Sequence, residues 1–227
     1  MTIGSDFLKS IPYFTGLSPA ELEAMARITF EKSFQRNEVI ALEGEPGEAL
    51  YFVVSGVVKV FKTSAEGKEQ VLRLVLPGES FNEVAVFDGG PNPASASALG
   101  PVALAGIRRG DMTSLLERHH RVAINIIRVL AARLRHLVSL VEDLAFRQVN
   151  ARLAKLLLDY AREGQPTGGF PPRPRLTQQE MAALIGTARE VVGRSLKALE
   201  EAGAIRMDHH RIIISNRKAL EDMVRAA

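Results

Sequence analysis

Residues 176–203, LTQQEMAALIGTAREVVGRSLKALEEAG, are the segment that most constrains the fold. Thr177 is followed three residues later by Glu180, which is the spacing of a helix capping box, and Thr187 and Glu190 repeat that spacing ten residues further on. Two helix starts so close together leave room for one helix of about two turns between them. The segment therefore predicts two short helices in succession.

Gly186 lies between the two predicted helix starts and marks a tight turn. Apolar residues recur at helical spacing on one face of each helix, and that face should be buried. The first helix is expected to bury Met181, Ala182 and Ile185, and the second Val191, Val192, Leu196 and Leu199. The second helix therefore keeps an outer face for other contacts.

Arg189, Glu190 and Arg194 stand on that outer face, beside the small residue Gly193. An arginine can donate to O6 and N7 of guanine, and a glutamate can accept from N4 of cytosine. Side chains four or five positions apart on one helix face reach neighbouring base pairs. The pattern predicts a helix that reads the DNA major groove, although the triplet alone is also compatible with an ordinary solvated helix face.

The residues after this helix strengthen the DNA-binding interpretation. The sequence AIRMDHHRIIISN, residues 204–216, holds two β-rich segments around the polar turn 208–210. Two helices followed by a hairpin predict a winged helix-turn-helix. Residues 148–227 carry 13 Lys and Arg against 9 Asp and Glu, a net charge of +4, whereas residues 1–147 carry 16 against 17. The positive charge thus lies where phosphates would be met.

The amino-terminal half of the chain is rich in predicted strands. Residues 38–81 consist of short apolar or alternating segments that are separated by glycines. The separating glycines are Gly44, Gly47, Gly56, Gly67 and Gly78. Many short strands at such spacing predict a sandwich or a double-stranded β-roll.

A long helix is predicted between this β-rich region and the winged helix, from about residue 115 to residue 146. Its apolar residues follow alternating steps of four and three, as in the seam of a coiled coil, which predicts a homodimer. The seam consists of Ala123, Ile127, Leu130, Leu134, Leu137, Val141 and Leu144. The alternative is a helix that packs on its own β-rich domain.

These elements define an α+β chain with three parts. We predict a sensory β-roll over residues 1–114, a dimerisation helix over 115–147 and a winged-helix DNA-binding domain over 148–227. The sequence has no apolar run of signal-peptide or membrane-spanning length, so a cytoplasmic protein without a membrane partner is expected.

The two halves resemble the Crp/Fnr family of bacterial transcription regulators. The first resemblance is the pair of motifs Gln179-Glu180 through Gly186 and Arg189-Glu190-Val191-Val192-Gly193-Arg194. The second is the β-roll pattern from Gly47-Glu48 through Tyr51, Val53, Gly56, Val58 and Val60. Val191 departs from the threonine that is often found there.

The resemblance implies roles for individual residues. Arg189, Glu190 and Arg194 would read the bases of a TGTGA-like half-site, which a homodimer binds as an inverted repeat. Thr177, Gln179 and Thr187 would contact phosphates. RNA polymerase would be a partner. The long helix would form the dimer axis through Ile127, Leu130, Leu134, Leu137, Val141 and Leu144. The alternative function is a β-roll module that regulates a protein partner instead of DNA.

The family's effector loop corresponds to residues 81–98, FNEVAVFDGGPNPASASA. Glu83 matches the ribose-binding glutamate of the cyclic-nucleotide members, but Asn82 replaces a glycine, Pro93 replaces the phosphate-binding arginine and Ala94 replaces a serine. We therefore expect no cation at the phosphate position and no binding of cyclic AMP. The residues aligned with the adenine contacts are Leu137 and Val138, which cannot hydrogen-bond to a base.

The remaining expectation is an apolar effector pocket similar to that of the haem-dependent, nitric-oxide-responsive branch. The candidate axial ligands are His119, His120, His136, Met25 and Met112; a different small effector, or none, is the alternative. Cysteine is absent, which excludes a cysteine-ligated iron–sulfur cluster. No histidine lies in the predicted barrel and no nucleophile triad or Walker loop is visible, so no enzyme is expected and no metal site is assigned.

Overall fold

The computed structural model describes residues 4–163, 175–209 and 211–225. The chain forms two compact units, residues 1–62 with 72–136 and residues 63–71 with 137–227. The helix that was predicted as a separate middle segment contributes residues to both units. None of the described helices combines the length and the apolar character needed to cross a membrane.

Two β-sheets make up most of the first unit, as the glycine-punctuated sequence predicted, although the strand residues Thr63 and 69–71 are assigned to the second unit. The strands are β1 (Thr29–Phe34), β2 (Val39–Ala41), β3 (Ala49–Ser55), β4 (Val58–Thr63), β5 (Glu69–Val75), β6 (Ser80–Phe81), β7 (Ser95–Ala98) and β8 (Val102–Arg108). They form two four-stranded sheets in the orders β1-β8-β3-β6 and β2-β7-β4-β5. The helices are α1 (Ser5–Ser10), a 3-10 turn (Pro12–Phe14), α2 (Pro19–Ile28), α3 (Glu83–Asp88) and α4 (Arg109–Arg118).

Strand β3 shows why this unit has two hydrophobic cores. Its first five residues are all buried, and their side chains alternate between the two faces of the sheet. Tyr51 and Val53 belong to the core between the sheets, whereas Leu50 and Phe52 pack with the helices on the other side. The strand therefore reads as a continuous apolar run, because both of its faces are covered.

The predicted long helix begins five residues later than expected. It is α5 (His120–Phe146), and it follows α4 after a break at His119. The amide of His119 donates to the carbonyl of Leu115 at 2.9 Å, and the residue itself has non-helical torsion angles. The apolar pattern continues across the break, so sequence periodicity alone could not place it.

The second unit contains the remaining helices and a two-stranded hairpin. These are α6 (Val149–Glu163), α7 (Gln178–Ile185), α8 (Arg189–Glu201), β9 (Ile205–Asp208), β10 (Arg211–Ile214) and α9 (Arg217–Arg225). Their shared core includes Leu153, Leu196 and Leu199. The order helix, helix, hairpin confirms the predicted winged helix-turn-helix.

Candidate nucleic-acid interface and effector site

Helix α7 begins and ends as its sequence predicts. The Glu180 amide donates to Oγ1 of Thr177 at 3.1 Å, and the Thr177 amide donates to Oε2 of Glu180 at 2.6 Å. This capping box satisfies two amides that the first turn leaves unpaired. At the other end Gly186 is left-handed, with φ +67°, and a Cβ there would lie 2.6 Å from Cδ2 of Leu144. Glycine is therefore required in the turn by its backbone angle and by its close packing.

The second predicted capping box, Thr187 with Glu190, is wrong. Helix α8 has Ala188 as its N-cap residue, and no side chain caps it. The Thr187 amide donates to the Ala182 carbonyl at 3.0 Å, so Thr187 completes the end of α7. Glu190 consequently stands in the first turn of α8 without a capping role.

Helix α8 presents the predicted triplet on its outer face. Arg189, Glu190 and Arg194 are exposed, whereas Val192 and Leu196 are buried in the core of the unit. Among the described residues none of the three outer side chains takes part in a hydrogen bond or an ion pair. The fold therefore leaves two guanidinium groups and one carboxylate available on a single helix face.

The predicted phosphate-contacting residues lie at the two ends of α7. Thr177 and Gln179 are exposed at its amino-terminal end, and Thr187 is half-buried just beyond its carboxyl-terminal end. Amino-terminal helix ends attract anions because their amides and the helix dipole point outward. The three residues flank the helix that precedes the triplet.

The hairpin pairs β9 with β10 antiparallel, from Ile205 opposite Ile214 to Asp208 opposite Arg211. The Met207 amide donates to Oε1 of Glu200 at 2.8 Å, which ties the hairpin to α8. His209 occupies the tight turn with φ +43°, and His210 lies outside the described residues. The hydrogen bond between Met207 and Glu200 thus joins the wing to the last turn of α8.

Two arginines that the sequence did not single out line one cavity in this unit. Arg175 precedes α7 and Arg211 begins β10, and both are exposed. They line the same cavity, of about 280 Å³, together with apolar residues such as Leu157 and Ile212. They are far apart in sequence, so only the folded hairpin brings them to one place.

In the first unit, Glu83 begins α3 after a left-handed residue. Asn82 has φ +72° and ψ +21°, and its side-chain amide donates to the Ala49 carbonyl at 3.0 Å. Asparagine tolerates this backbone region better than most residues other than glycine. The replacement of glycine by Asn82 therefore preserves the loop conformation that aims Glu83 inward.

Glu83 is 6% exposed, and two side chains interact with its carboxylate. Nη1 of Arg133, on α5, lies 2.5 Å from Oε1 of Glu83, and the Tyr13 hydroxyl donates to the same oxygen at 3.2 Å. Burial and, after it, the Glu83 charge raise the pKa of Tyr13, so the phenol remains a donor. Although burial disfavours the charged form of Arg133, the carboxylate of Glu83 holds its pKa above the ordinary value.

A lysine that the loop sequence does not contain lies beside Pro93. Nζ of Lys62 donates to the Pro93 carbonyl at 3.3 Å and also pairs with Glu43. Pro93 is exposed and Ala94 is half-buried. The cation comes from β4, thirty-one residues upstream, so a search confined to the loop could not find it.

The exposed apolar side chains of α5 follow two columns. Ile127, Leu134 and Val141 are 64%, 63% and 65% exposed, as the predicted seam requires. Val138, which the seam omitted, is 61% exposed and Leu137 is 43% exposed. The exposed apolar stripe is therefore rotated slightly around α5, from the predicted seam towards Val138.

Two residues of the predicted seam make contacts within their own chain. Leu130 packs on the helix-side core of the first unit, and Leu144 lies against Gly186 in the second. The start of α5, at Val122 and Ile126, is buried in the same first core. The alternative of a helix packed on its own domain thus holds for one side of α5, and the opposite side stays exposed.

Comparisons with known proteins decide the family. The pattern of the cyclic nucleotide-binding domain matches residues 31–119, and that of the Crp-like helix-turn-helix domain matches residues 151–223. A CRP-like cAMP-activated global transcriptional regulator of Mycobacterium tuberculosis is 32% identical over 91% of this chain and 93% of its own length. The cyclic AMP receptor protein of Thermus thermophilus is 34% identical over 95% and 98%.

The chain belongs to the Crp/Fnr family of transcription regulators. Solved structures agree with the fold. The catabolite activator protein of Thermus thermophilus matches 95% of this chain and 99% of its own at a TM-score of 0.54 and 34% identity. FixK2 from Bradyrhizobium japonicum matches 86% and 97% at a TM-score of 0.76, and at 24% identity this likeness shows the fold alone.

Two of the candidate haem ligands, Met25 and Met112, do not fit that role. Met25 and Met112 are 6% and 0% exposed and are packed in the helix-side core, so a haem would have to displace that core to reach either sulfur. Nδ1 of His119 lies 3.1 Å from Oε1 of Glu21, while His120 and His136 are exposed on α5.

The capping role of Thr177 can be separated from its predicted phosphate contact. Thr177→Asp keeps a capping oxygen but places a negative charge where a phosphate is expected, so the thermal unfolding midpoint should stay unchanged while DNA affinity falls about tenfold. Thr177→Ala should instead lower the unfolding free energy by ~1 kcal/mol. Scanning calorimetry and gel shifts on both variants check this, and an aspartate variant that binds DNA normally would remove Thr177 from the interface.

Proposed function

We propose that this protein is a homodimeric, sequence-specific DNA-binding transcription regulator. The exposed triplet of α8 carries this proposal, because Arg189, Glu190 and Arg194 have no partners among the described residues while the opposite face of the helix is packed. Two arginines suit two guanines, and the glutamate between them suits a cytosine paired with one of those guanines on the opposite strand. The TGTGA-like half-site that the resemblance to the family implies offers two guanines and the cytosines opposite them.

The exposed face of α5 supports the homodimer. A large apolar stripe on a monomeric protein is costly in water and commonly marks an interface. The same stripe on a second copy is complementary to it by two-fold symmetry. A two-fold dimer presents two α8 helices, so the site is an inverted repeat with half-sites one helical turn apart.

The regulatory step follows from the position of α5 in the sequence. The helix carries Arg133, which contacts Glu83 in the first unit, and continues into the chain that forms the DNA-binding unit. An effector that binds one arrangement of this helix pair more tightly shifts the population towards it. That arrangement sets the spacing of the two recognition helices, and by membership of the family RNA polymerase is the partner that reads the result.

Selection of binding sites from random DNA duplexes tests this function. The expected product is an inverted repeat of TGTGA-like half-sites, bound less tightly as salt rises. A β-roll module that acts on a protein partner would bind no duplex in a salt-sensitive way. Selection without an inverted repeat would contradict α8 as the reader.

We expect no micromolar binding of cyclic AMP, although the relatives from Mycobacterium and Thermus are named for it. Pro93 and Ala94 offer no side-chain donor to a cyclic phosphate, and Lys62 is paired with Glu43. Titration calorimetry on the natural chain should give no saturable heat.

The double variant Pro93→Arg, Ala94→Ser supplies the comparison for that titration. It adds a guanidinium group and a hydroxyl at the expected phosphate position. It should therefore bind cyclic AMP at least about tenfold more tightly than the natural chain. Micromolar affinity of the natural chain would show that another group replaces the arginine.

A further inference from the structure

The second unit contains a cavity whose wall is mainly apolar. Its volume is about 280 Å³, and residues of α6, of the segment that leads into α7, of α7 and of β10 line it. Leu157 and Met181 are buried there, and Ile212 and Ile214 lie half-buried on one face of β10, since they are two residues apart on a strand. One water molecule needs only roughly 10–15 Å³, and these side chains offer water little hydrogen bonding. The wall is therefore suited to a ligand with an apolar body.

Positive charge stands at the opening of this cavity. Arg175 precedes α7 and Arg211 begins β10, and both are exposed although they line the same cavity as the buried Leu157 and Met181. Within the described parts of the chain, neither guanidinium group takes part in a hydrogen bond or an ion pair, and no residue that lines the cavity is acidic. Arginine is not deprotonated in proteins. The opening therefore carries positive charge that no carboxylate of the cavity compensates.

The apolar wall and the charged opening together select one class of ligand. A neutral hydrocarbon would fill the wall but would leave both arginines unused. A DNA phosphate would meet the arginines but has no apolar body to place against Leu157 or Met181. A carboxylate on an aliphatic chain uses both features, because its chain leaves water for apolar surface and its flat head accepts from the planar fork of arginine.

We propose that this cavity binds an amphiphilic carboxylate of medium chain length. The chain lies against α6 and β10, and the carboxylate pairs with Arg175 and Arg211. The site is built by the winged-helix unit alone and is separate from the β-roll, so it goes beyond the effector of the proposed function. Binding at this site is measured without DNA, and a negative result leaves the proposed DNA-binding function standing.

Methyl NMR of the full chain, labelled with ¹³C at its methionine methyl groups, tests the site with octanoate at an ionic strength held constant with sodium chloride. The Met181 signal, assigned by its loss in Met181→Leu, should shift and saturate with a Kd of about 1 mM or below. The signals of Met25 and Met112, which are buried in the first unit, should stay unchanged. Octanamide has the same chain without the charge, and it should bind roughly three- to tenfold more weakly, since each exposed arginine contributes modestly.

The double variant Arg175→Gln, Arg211→Gln should weaken octanoate binding by the same factor, roughly three- to tenfold, and bring it to the level of octanamide. Arg206→Gln is the matched control, because Arg206 is an exposed arginine of the same hairpin that does not line the cavity. It should leave the affinity unchanged. All three arginines are exposed, so none of these changes disturbs the core of the unit.

Three results would overturn the proposal. They are the absence of a saturable Met181 shift, octanamide that binds as tightly as octanoate, and an Arg206→Gln variant that loses as much affinity as the double variant. A Met181 shift that occurs only in Phe170→Ala would overturn it as well, because the chain's own residues before Arg175 would then fill the cavity.

Discussion

The double variant Leu134→Glu, Val138→Glu is expected to be monomeric in solution. Both side chains are more than 60% exposed on α5, so the substitutions leave the core of either unit untouched. In a two-fold seam each glutamate would face its own copy, and two like charges would lose water without gaining a partner. Light scattering should therefore give the mass of one chain, 24.8 kDa, in place of two.

The matched control is Ala132→Glu, Arg135→Glu. These positions are also exposed on α5 but point away from the apolar stripe, and the pair should remain dimeric. Site-specific DNA affinity should fall in the seam variant and stay near the natural value in the control. If the seam variant scatters as a dimer, the interface lies on another surface.

Arg189→Ala and Arg194→Ala should each weaken binding to the selected site by about 1–3 kcal/mol, roughly 5- to 150-fold. Each removes one bidentate contact, so preference should relax at one guanine in each half-site. Glu190→Ala should tolerate other bases where cytosine was required. Gel shifts on a panel of single-base duplexes measure both the affinity and the base preference.

Two controls distinguish base reading from simple loss of charge. Arg118→Ala removes an exposed arginine of α4 and should leave binding unchanged. Gln179→Ala, at a predicted phosphate contact, should weaken all duplexes alike. An Arg194→Ala variant with unchanged base preference would defeat the assignment of α8 as the reader.

Local hydrogen bonding explains which site features the sequence predicted correctly. The capping box of Thr177 with Glu180 and the left-handed Gly186 involve atoms within a few residues of one another. The failed box at Thr187 shows the limit of this reasoning. Its amide was already used to close α7, so the same spacing had two possible roles and the turn selected one.

The sequence determined the exposed face of α5 less closely than it determined these local features. Two neighbouring columns of α5 are apolar, so a heptad pattern fits either. One column contains Leu130, Leu137 and Leu144, and the other passes through Val138. Packing on the first core removes Leu130 from full exposure, and contact with Gly186 does the same for Leu144. The exposed stripe is therefore what remains after the chain has covered one side of the helix.

The sequence by itself determined the order of a β-roll, a long helix and a winged helix-turn-helix, because apolar periodicity, turn residues and caps act over short stretches of chain. It also predicted the exposed triplet of α8, which lies within six residues of one helix. Only the tertiary structure decided the cluster of Arg73, Ser80, Glu83 and Arg133, and the placing of Arg175 and Arg211 on one cavity. These groups come from separate elements. The carboxylate of Glu83 is paired with Arg133 only because the packing of those elements places both groups in the same low-dielectric space.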